Sequence, residues 1–438
     1  MKRKIWLAVL ACLMMFALSG CLKSTEDLYR LPQQTSLYQN LQAEIAAVLN
    51  TGAEYSAPLE GQNRQPIQLA DLNGDGEEEA IVFLKSGEAM PLKAYIFERE
   101  EGEYKLYAVI EGNGTSFQSV EYAQLDGVAG LELLIGWQVS NQVTKAITAY
   151  SLRADGVIEL LSANYSEYKT VDLNTDGLTD VMVLRFSAEN QSGVAELYSY
   201  RGGQMERAPE AAMSTGVSSI KRIITGNMDA NVPAVFVASL YADNFIVTDI
   251  FALKDGMFQN VAVKDETGKA STVRNYYVYA TDIDNDGLIE LPNPVALKQY
   301  SVESTDNYWS IEWYNLTLNG ERVLKKTTYH NYTSGWYLDL PAQWENLVAY
   351  RGNPVGSVRG YVFATWDGQG QAKPMFTIYA FTGYHRNNLA QQDGRFVLAQ
   401  KGDVTYAAKL ESANTNLTME GLRALFHFIR MDWNSGET

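Results

Sequence analysis

Histidine and cysteine are scarce in this 438-residue chain, with three of the first and two of the second. Both cysteines, Cys12 and Cys21, fall within the first 21 residues. The remainder has no thiol, which excludes disulfide staples, thiolate zinc sites and a cysteine nucleophile there. The histidines, His330, His385 and His427, stand far apart and outside any H-E-x-x-H arrangement. There is no G-x-S-x-G elbow, no P-loop and no dinucleotide glycine pattern. Positive charge is also short, 35 basic residues against 52 acidic ones, a formal −17. Setting aside residues 1–20, which hold Lys2, Arg3 and Lys4 and no acid, leaves 32 against 52, or −20. Nucleic acid and anionic membrane surfaces are poor partners for such a chain, and divalent cations are good ones. The apolar run from Ile5 to Leu18 is too short for a comfortable membrane span.

The basic start, that short apolar run and the small residues after it make residues 1–20 a secretory signal peptide. Its ending, Leu18-Ser19-Gly20-Cys21, resembles the bacterial lipobox. The resemblance implies that Cys21 becomes the lipidated N-terminus. The protein would then sit on the extracytoplasmic face of a bacterial cell membrane. Residues 21–35, polar and with Pro32, read as a tether. Thr35 or Ser36 then caps a helix carrying Leu37, Tyr38, Leu41, Ile45, Val48 and Leu49 on one face, with Gly52 past its end.

Beyond Gly52 short β-rich runs alternate with turn residues, and a period emerges. Five segments align on Asp71, Gln124, Asp172, Asn227 and Asp282, at steps of 53, 48, 55 and 55 residues. About 50 residues is room for four short strands, the size of a β-propeller blade. In the first repeat these fall at Pro66–Ala70, Glu79–Leu84, Leu92–Glu98 and Tyr104–Ile110. The expected fold is mainly β: a propeller of about five blades, alternatively six or seven, over 36–331 with its preceding helix. A small C-terminal α+β unit over 332–438 is expected to follow. Strands there are expected at 335–341, 359–366, 375–381, 396–400 and 404–410. Thr418 would cap a closing helix with Met419, Leu422, Leu425, Phe426, Ile429 and Trp433 on its apolar face.

Three repeats carry one acidic pattern between their first two strands. Asp71, Asn73 and Asp75 occupy positions 1, 3 and 5 of a tight loop, Gly76 allows the turn, and Glu79 stands at position 9. The carbonyl of Glu77, at position 7, can add a further oxygen. The set recurs as Asp172, Asn174, Asp176, Leu178 (carbonyl) and Asp180, and as Asp282, Asp284, Asp286, Leu288 (carbonyl) and Glu290. Several hard, charged oxygens aimed at one centre suit Ca²⁺. The helical calcium hand shares this opening but needs a Glu at position 12, where Val82, Val183 and Asn293 stand. The repeats at Gln124 and Asn227 lack the set, through Gln124 and Val128 in one and Val235 in the other, and no metal is expected there.

The pattern D-x-[DN]-x-D-G-x-x-[DE] followed by an apolar strand resembles the FG-GAP or VCBS-type repeats of integrin-α-like propellers. The resemblance covers about residues 60–330. It implies a structural Ca²⁺ in each full loop and a propeller that recognises proteins or glycans. Equivalent sites spread over separate blades do not converge on one substrate, so no catalytic residue is assigned. Trp309, Trp313, Trp336 and Trp366, within an aromatic-rich stretch from 308 to 366, are candidate ligand-binding residues. Alternation such as Trp309, Ile311, Trp313 equally builds an ordinary sheet core. The expected role is therefore a lipid-anchored, calcium-stabilised binding or scaffolding module rather than an enzyme. The alternatives are an extracellular polysaccharide-active hydrolase with carboxylates at the propeller mouth, and an envelope assembly factor.

Overall fold

The 71–79 and 172–180 loops each join two neighbouring strands of an antiparallel sheet, and the 282–290 loop is closed by an isolated Thr281↔Glu290 bridge. The computed structural model describes residues 36–87, 91–112, 114–139, 145–228, 231–242, 244–263, 270–275, 278–300, 308–411 and 416–430. The expected signal peptide, Cys21, the expected tether, Thr35, Asp229 and Trp433 lie outside them.

Among the described residues, six antiparallel sheets follow one another along the chain. The first holds β1 (Glu54–Tyr55), β2 (Ile67–Ala70), β3 (Glu79–Lys85), β4 (Leu92–Glu100) and β5 (Glu103–Gly112). The second holds β6 (Ser116–Ala123), β7 (Glu132–Gln138), β8 (Lys145–Arg153) and β9 (Gly156–Tyr165). The third holds β10 (Glu167–Val171), β11 (Asp180–Ser187), β12 (Ser192–Arg201), β13 (Gln204–Arg207) and β14 (Ala211–Ala212). The fourth holds β15 (Val217–Met228), β16 (Val232–Tyr241), β17 (Phe245–Lys254) and β18 (Met257–Asn260). The fifth begins with β19 (Leu291–Ala296), β20 (Trp309–Leu316), β21 (Arg322–Asn331) and β22 (Trp336–Asp339). The sixth holds β23 (Leu347–Val355), β24 (Val358–Thr365), β25 (Lys373–Phe381), β26 (Phe396–Lys401) and β27 (Val404–Leu410). The four strands expected in the first repeat are present within two residues at each end.

The strands that follow the first two acidic loops are buried on both faces over their first residues, whereas β19, after the third, is buried only at Leu291 and Pro292. In β3, Ala80 to Leu84 are all at most 1 % exposed. Such a strand needs apolar neighbours on both sides, and the sheets supply them by stacking face to face in chain order. One cluster joins Ile81 and Phe83 to Val120 and Ile135, and the next joins Leu134 and Ile147 to Val181 and Val183. Met182 and Leu184 meet Val235 and Val237, Phe236 and Ile250 meet Leu291 and Tyr314, and Trp336 and Leu338 meet Phe363 and Phe376. The free face of the first sheet is covered by α1 (Ser36–Leu49), whose Leu41 and Ile45 pack on Ala80, Val82 and Leu84. Tyr38, expected on that face, is exposed. On the free face of the sixth sheet Tyr300, Tyr350 and Trp366 pack over Val348 and Ala364.

The C-terminal region departs from expectation in three ways. The expected boundary at 331/332 falls inside the fifth sheet, because β22 pairs with β21 from Thr328↔Asp339 to Asn331↔Trp336. The fifth and sixth sheets also share a core of aromatic side chains, so no polar seam divides them. The closing helix is shorter than its apolar stripe. Thr418 does cap α3 (Met419–Leu425), its hydroxyl accepting from the Gly421 N–H at 3.0 Å, after a four-residue α2 (Arg386–Leu389). Phe426, however, leaves the helix and starts β28 (Phe426–Phe428), which adds to the edge of β22. His427 is therefore a strand residue, with Nε2 3.2 Å from Asp339 Oδ2.

His330 lies in the core between Trp313, Tyr332 and Tyr337, with Nδ1 3.1 Å from the Tyr332 hydroxyl. Burial pushes its pKa from 6.5 down to about 3. The unfolded chain binds this proton between those values and the folded one does not. The stability His330 contributes is thus complete above pH 6.5 and is lost as pH falls toward 3. At pH 4.5 the loss is about 3 kcal/mol, at ~1.36 kcal/mol per unit. Melting curves at pH 7.5 and 4.5 should show a larger drop for the wild-type protein than for His330→Gln. Equal drops would contradict this assignment.

Candidate metal loops

The three acidic loops share one hydrogen-bond plan. The carboxylate at position 9 starts the second strand and turns back under the loop to accept the N–H of position 2. Glu79 accepts from Leu72 at 2.7 Å, Asp180 from Leu173 at 2.9 Å and Glu290 from Ile283 at 3.0 Å. These carboxylates are at most 1 % exposed. Position 1 accepts from the glycine at position 6, as in Asp71 with Gly76 (3.1 Å), Asp172 with Gly177 (3.0 Å) and Asp282 with Gly287 (3.0 Å). Those glycines have φ of +87°, +86° and +87°, the left-handed region that the turn requires. Position 5 accepts from the N–H of position 7, as in Asp75 with Glu77, Asp176 with Leu178 and Asp286 with Leu288. That bond leaves the position-7 carbonyl available to a cation.

The sets close to different degrees. Carboxylate oxygens of Asp282, Asp284, Asp286 and Glu290 all lie within 4.8 Å of one another. In the first loop the corresponding group is Asp75, Glu79 and Glu98, while Asp71 Oδ1 is taken by the Gly74 N–H. The Asn73 amide bridges the group, donating to Asp75, Glu79 and Glu98. The carboxylates of Asp172, Asp176 and Asp180 do not close to that distance, but Asp172 Oδ1 is buried without a hydrogen-bond partner. A buried carboxylate oxygen with no donor is costly, and a cation there would remove the cost. Electrostatics agree. Burial raises the pKa of Asp180, and raises those of Glu79 and Glu290 to about 7. Asp286 is held low instead, by its hydrogen bond to Lys325 at 2.7 Å. The donor chemistry and the orphaned oxygen both fit Ca²⁺.

One participant escaped the sequence reading. Glu98 belongs to the third strand, one step beyond the Ala80↔Phe97 pair that ends the β3–β4 register, and shares the Asn73 amide with Glu79. Third-strand residues also reach the position-9 carboxylates of the other loops: Ser151 donates to Glu132 at 2.9 Å, Asn315 donates to Glu290 at 2.7 Å, and Ser199 hydrogen-bonds Asp180. In the first three repeats this residue comes nineteen positions after position 9. That constant spacing is the signal from which it could have been found.

Successive loops also touch. The position-1 carbonyl of one accepts the position-8 N–H of the next: Asp71 from Leu131, Gln124 from Thr179 and Asn227 from Ile289. Gly74 and Gly130 meet between the first two loops, where a Cβ on Gly74 would stand 2.4 Å from the Ala129 carbonyl carbon. The first three loops are thereby joined in a row, and the 227 loop is joined to the 282–290 loop.

The aromatic candidates separate. Trp313 and Trp336 are fully buried. Trp313 donates to Thr328 Oγ1 at 2.7 Å, and Trp336 sits among Tyr329, Tyr361 and Phe426. Neither can present a face to a ligand, so both are corrected to core residues. Their inward position in the sheet alternation is the cause. Trp309 and Trp366 are partly exposed, and Trp366 donates to the Gly370 carbonyl at 3.2 Å.

No protein-family model matches this chain, and no curated protein does. Solved structures similar to it include the Bacillus licheniformis rhamnogalacturonan lyase PL11, at 11% identity over 72% of this chain and 70% of that one, with a TM-score of 0.28. The rhamnogalacturonan lyase YesW has the same TM-score and identity, over 72% and 71% of the two chains. The exotype rhamnogalacturonan lyase YesX shares 11% identity over 76% and 67%, again with a TM-score of 0.28. Similarity at that level assigns neither fold nor activity.

Proposed function

We propose that this protein is a lipid-anchored, calcium-stabilised β-propeller that binds or scaffolds a protein or glycan at the extracytoplasmic face of a bacterial membrane. The six sheets would be its blades, with α1 and the segment around Tyr300 at the seam between first and last. The observation that carries the reading is the row of loops, in which buried position-9 carboxylates and converging oxygens recur in register. Asp71, Asn73, Asp75, Glu79 and the Glu77 carbonyl would hold one Ca²⁺. The 172–180 and 282–290 sets would hold one each. The ion would supply no reaction chemistry: it offsets carboxylate repulsion and fixes each turn. Sequential face-to-face packing of equivalent sheets supports the propeller.

Anchoring and binding are tested separately. Cys21→Ala is expected to leave the chain soluble after carbonate washing of membranes, and its retention in the pellet would contradict the anchor. A glycan array and a cell-surface pull-down, both in Ca²⁺, test recognition; no capture in either would contradict the binding role.

A further inference from the structure

The second repeat keeps the loop geometry but changes the charges. Glu132 is buried and accepts the Leu125 N–H at 2.6 Å, as position 9 does elsewhere. At position 1, Gln124 Oε1 accepts from Gly127 at 3.0 Å. Its amide nitrogen points into the loop and donates to the carbonyls of Val128 (2.6 Å) and Gly130 (2.8 Å). Gly130 holds position 7, whose carbonyl would be a metal ligand in the full loops. Position 3 is Asp126, with a fully buried side chain that receives the Arg153 guanidinium on Oδ2. Ser151 Oγ lies 3.1 Å from Asp126 Oδ2 and 2.9 Å from Glu132 Oε1, so its single proton bridges the two carboxylates.

We infer that Arg153 and the Gln124 amide together occupy the place of the metal ion in the second repeat, making it a permanently closed, metal-independent version of the same loop. This rests on the reading that the other three loops hold Ca²⁺. The charges match. With every carboxylate ionised, the 172–180 loop carries three negative charges, and the 282–290 loop carries four with Lys325 neutralising one. A divalent ion leaves one in each. The second repeat reaches the same remainder with Asp126, Glu132 and Arg153 and no ion. A buried Asp126 without a cation would be strongly unfavourable. The third repeat supplies an internal comparison. It has the same Ser-x-Arg on its third strand, Ser199 and Arg201, but a neutral Asn174 at position 3, and Arg201 stands exposed. The arginine closes only on the repeat that offers it a carboxylate.

The test counts calcium bound by the full chain in detergent, using equilibrium dialysis. The wild-type protein is expected to bind three ions, and Gln124→Asp/Val128→Asp/Arg153→Ser is expected to bind four. Three in both, with the variant folded by circular dichroism, would overturn this inference and leave the calcium reading intact. Four in the wild type would overturn it as well, since the second loop would then hold an ion beside Arg153. None in the wild type would overturn the calcium reading and this inference with it. Should the triple variant not fold, Arg153→Met is decisive. It should melt several degrees lower, by the same amount in Ca²⁺ and in EDTA, with three ions still bound. An unchanged melting temperature would overturn the inference.

Discussion

Chelating calcium is expected to lower the melting temperature by several degrees. A cation present at ten times its dissociation constant stabilises by about 1.4 kcal/mol per site, or roughly 4 kcal/mol over three loops. Affinities of extracellular calcium modules, commonly ~10⁻⁴–10⁻³ M, make that occupancy reachable at millimolar calcium. The effect has a local cause. In the metal-free loops, buried Glu79 and Glu290 carry pKa values near 7 because burial penalises their charge. A bound ion would remove that penalty. Calorimetry with and without EDTA reads the shift directly, and coincident melts would contradict it. The second repeat, with Arg153 in place, should contribute nothing to the difference.

Replacing Trp336 with alanine is expected to cost about 3–5 kcal/mol, the range for emptying a large aromatic from a packed core. Its ring lies 5.7 Å from Tyr329, 5.9 Å from Tyr361 and 5.6 Å from Phe426, centroid to centroid. It thereby joins the fifth sheet, the sixth sheet and the C-terminal strand. Denaturant unfolding should show the loss, and β28 should exchange its amide hydrogens faster, because β22 carries Trp336 and forms the edge on which β28 pairs. Trp309→Ala, at a partly exposed position, should cost far less. If Trp336→Ala were as stable as wild type but lost ligand binding, its assignment to the core would be wrong.

Much of the first repeat was legible because three signals coincide there: alternating apolar strands, glycines at turns, and oxygen donors at positions 1, 3, 5 and 9. The acidic loops report their own geometry, since the oxygens at positions 1, 5 and 9 of all three also accept backbone N–H groups of the same loop. Glu98 was not legible from the loop because it arrives from the third strand, and only sheet register brings it beside Glu79. Arg153 was hidden for the same reason. The sixth sheet carries no acidic motif, and β23 (LVAYRGNPV) is broken by Gly352 and Pro354, with a register shift between Arg351 and Pro354. Phe426 and Ile429 continue the helical spacing of Leu422 and Leu425, so the stripe reads as one helix. The exposed edge of β22 recruits residues 426–428 as a strand instead. Trp313 and Trp336 misled because an aromatic-rich stretch has the same composition whether it lines a core or a ligand surface; burial alone separates the two.

The central claim is that three loops, and only those three, each hold one calcium ion. Direct counting of Ca²⁺ on Asp180→Asn, Glu290→Gln and Glu79→Gln variants beside the wild-type chain tests it most directly. Three ions on the wild type, and two on each variant, are predicted. A wild-type count of zero, or a count that none of the three substitutions lowers, would contradict the account.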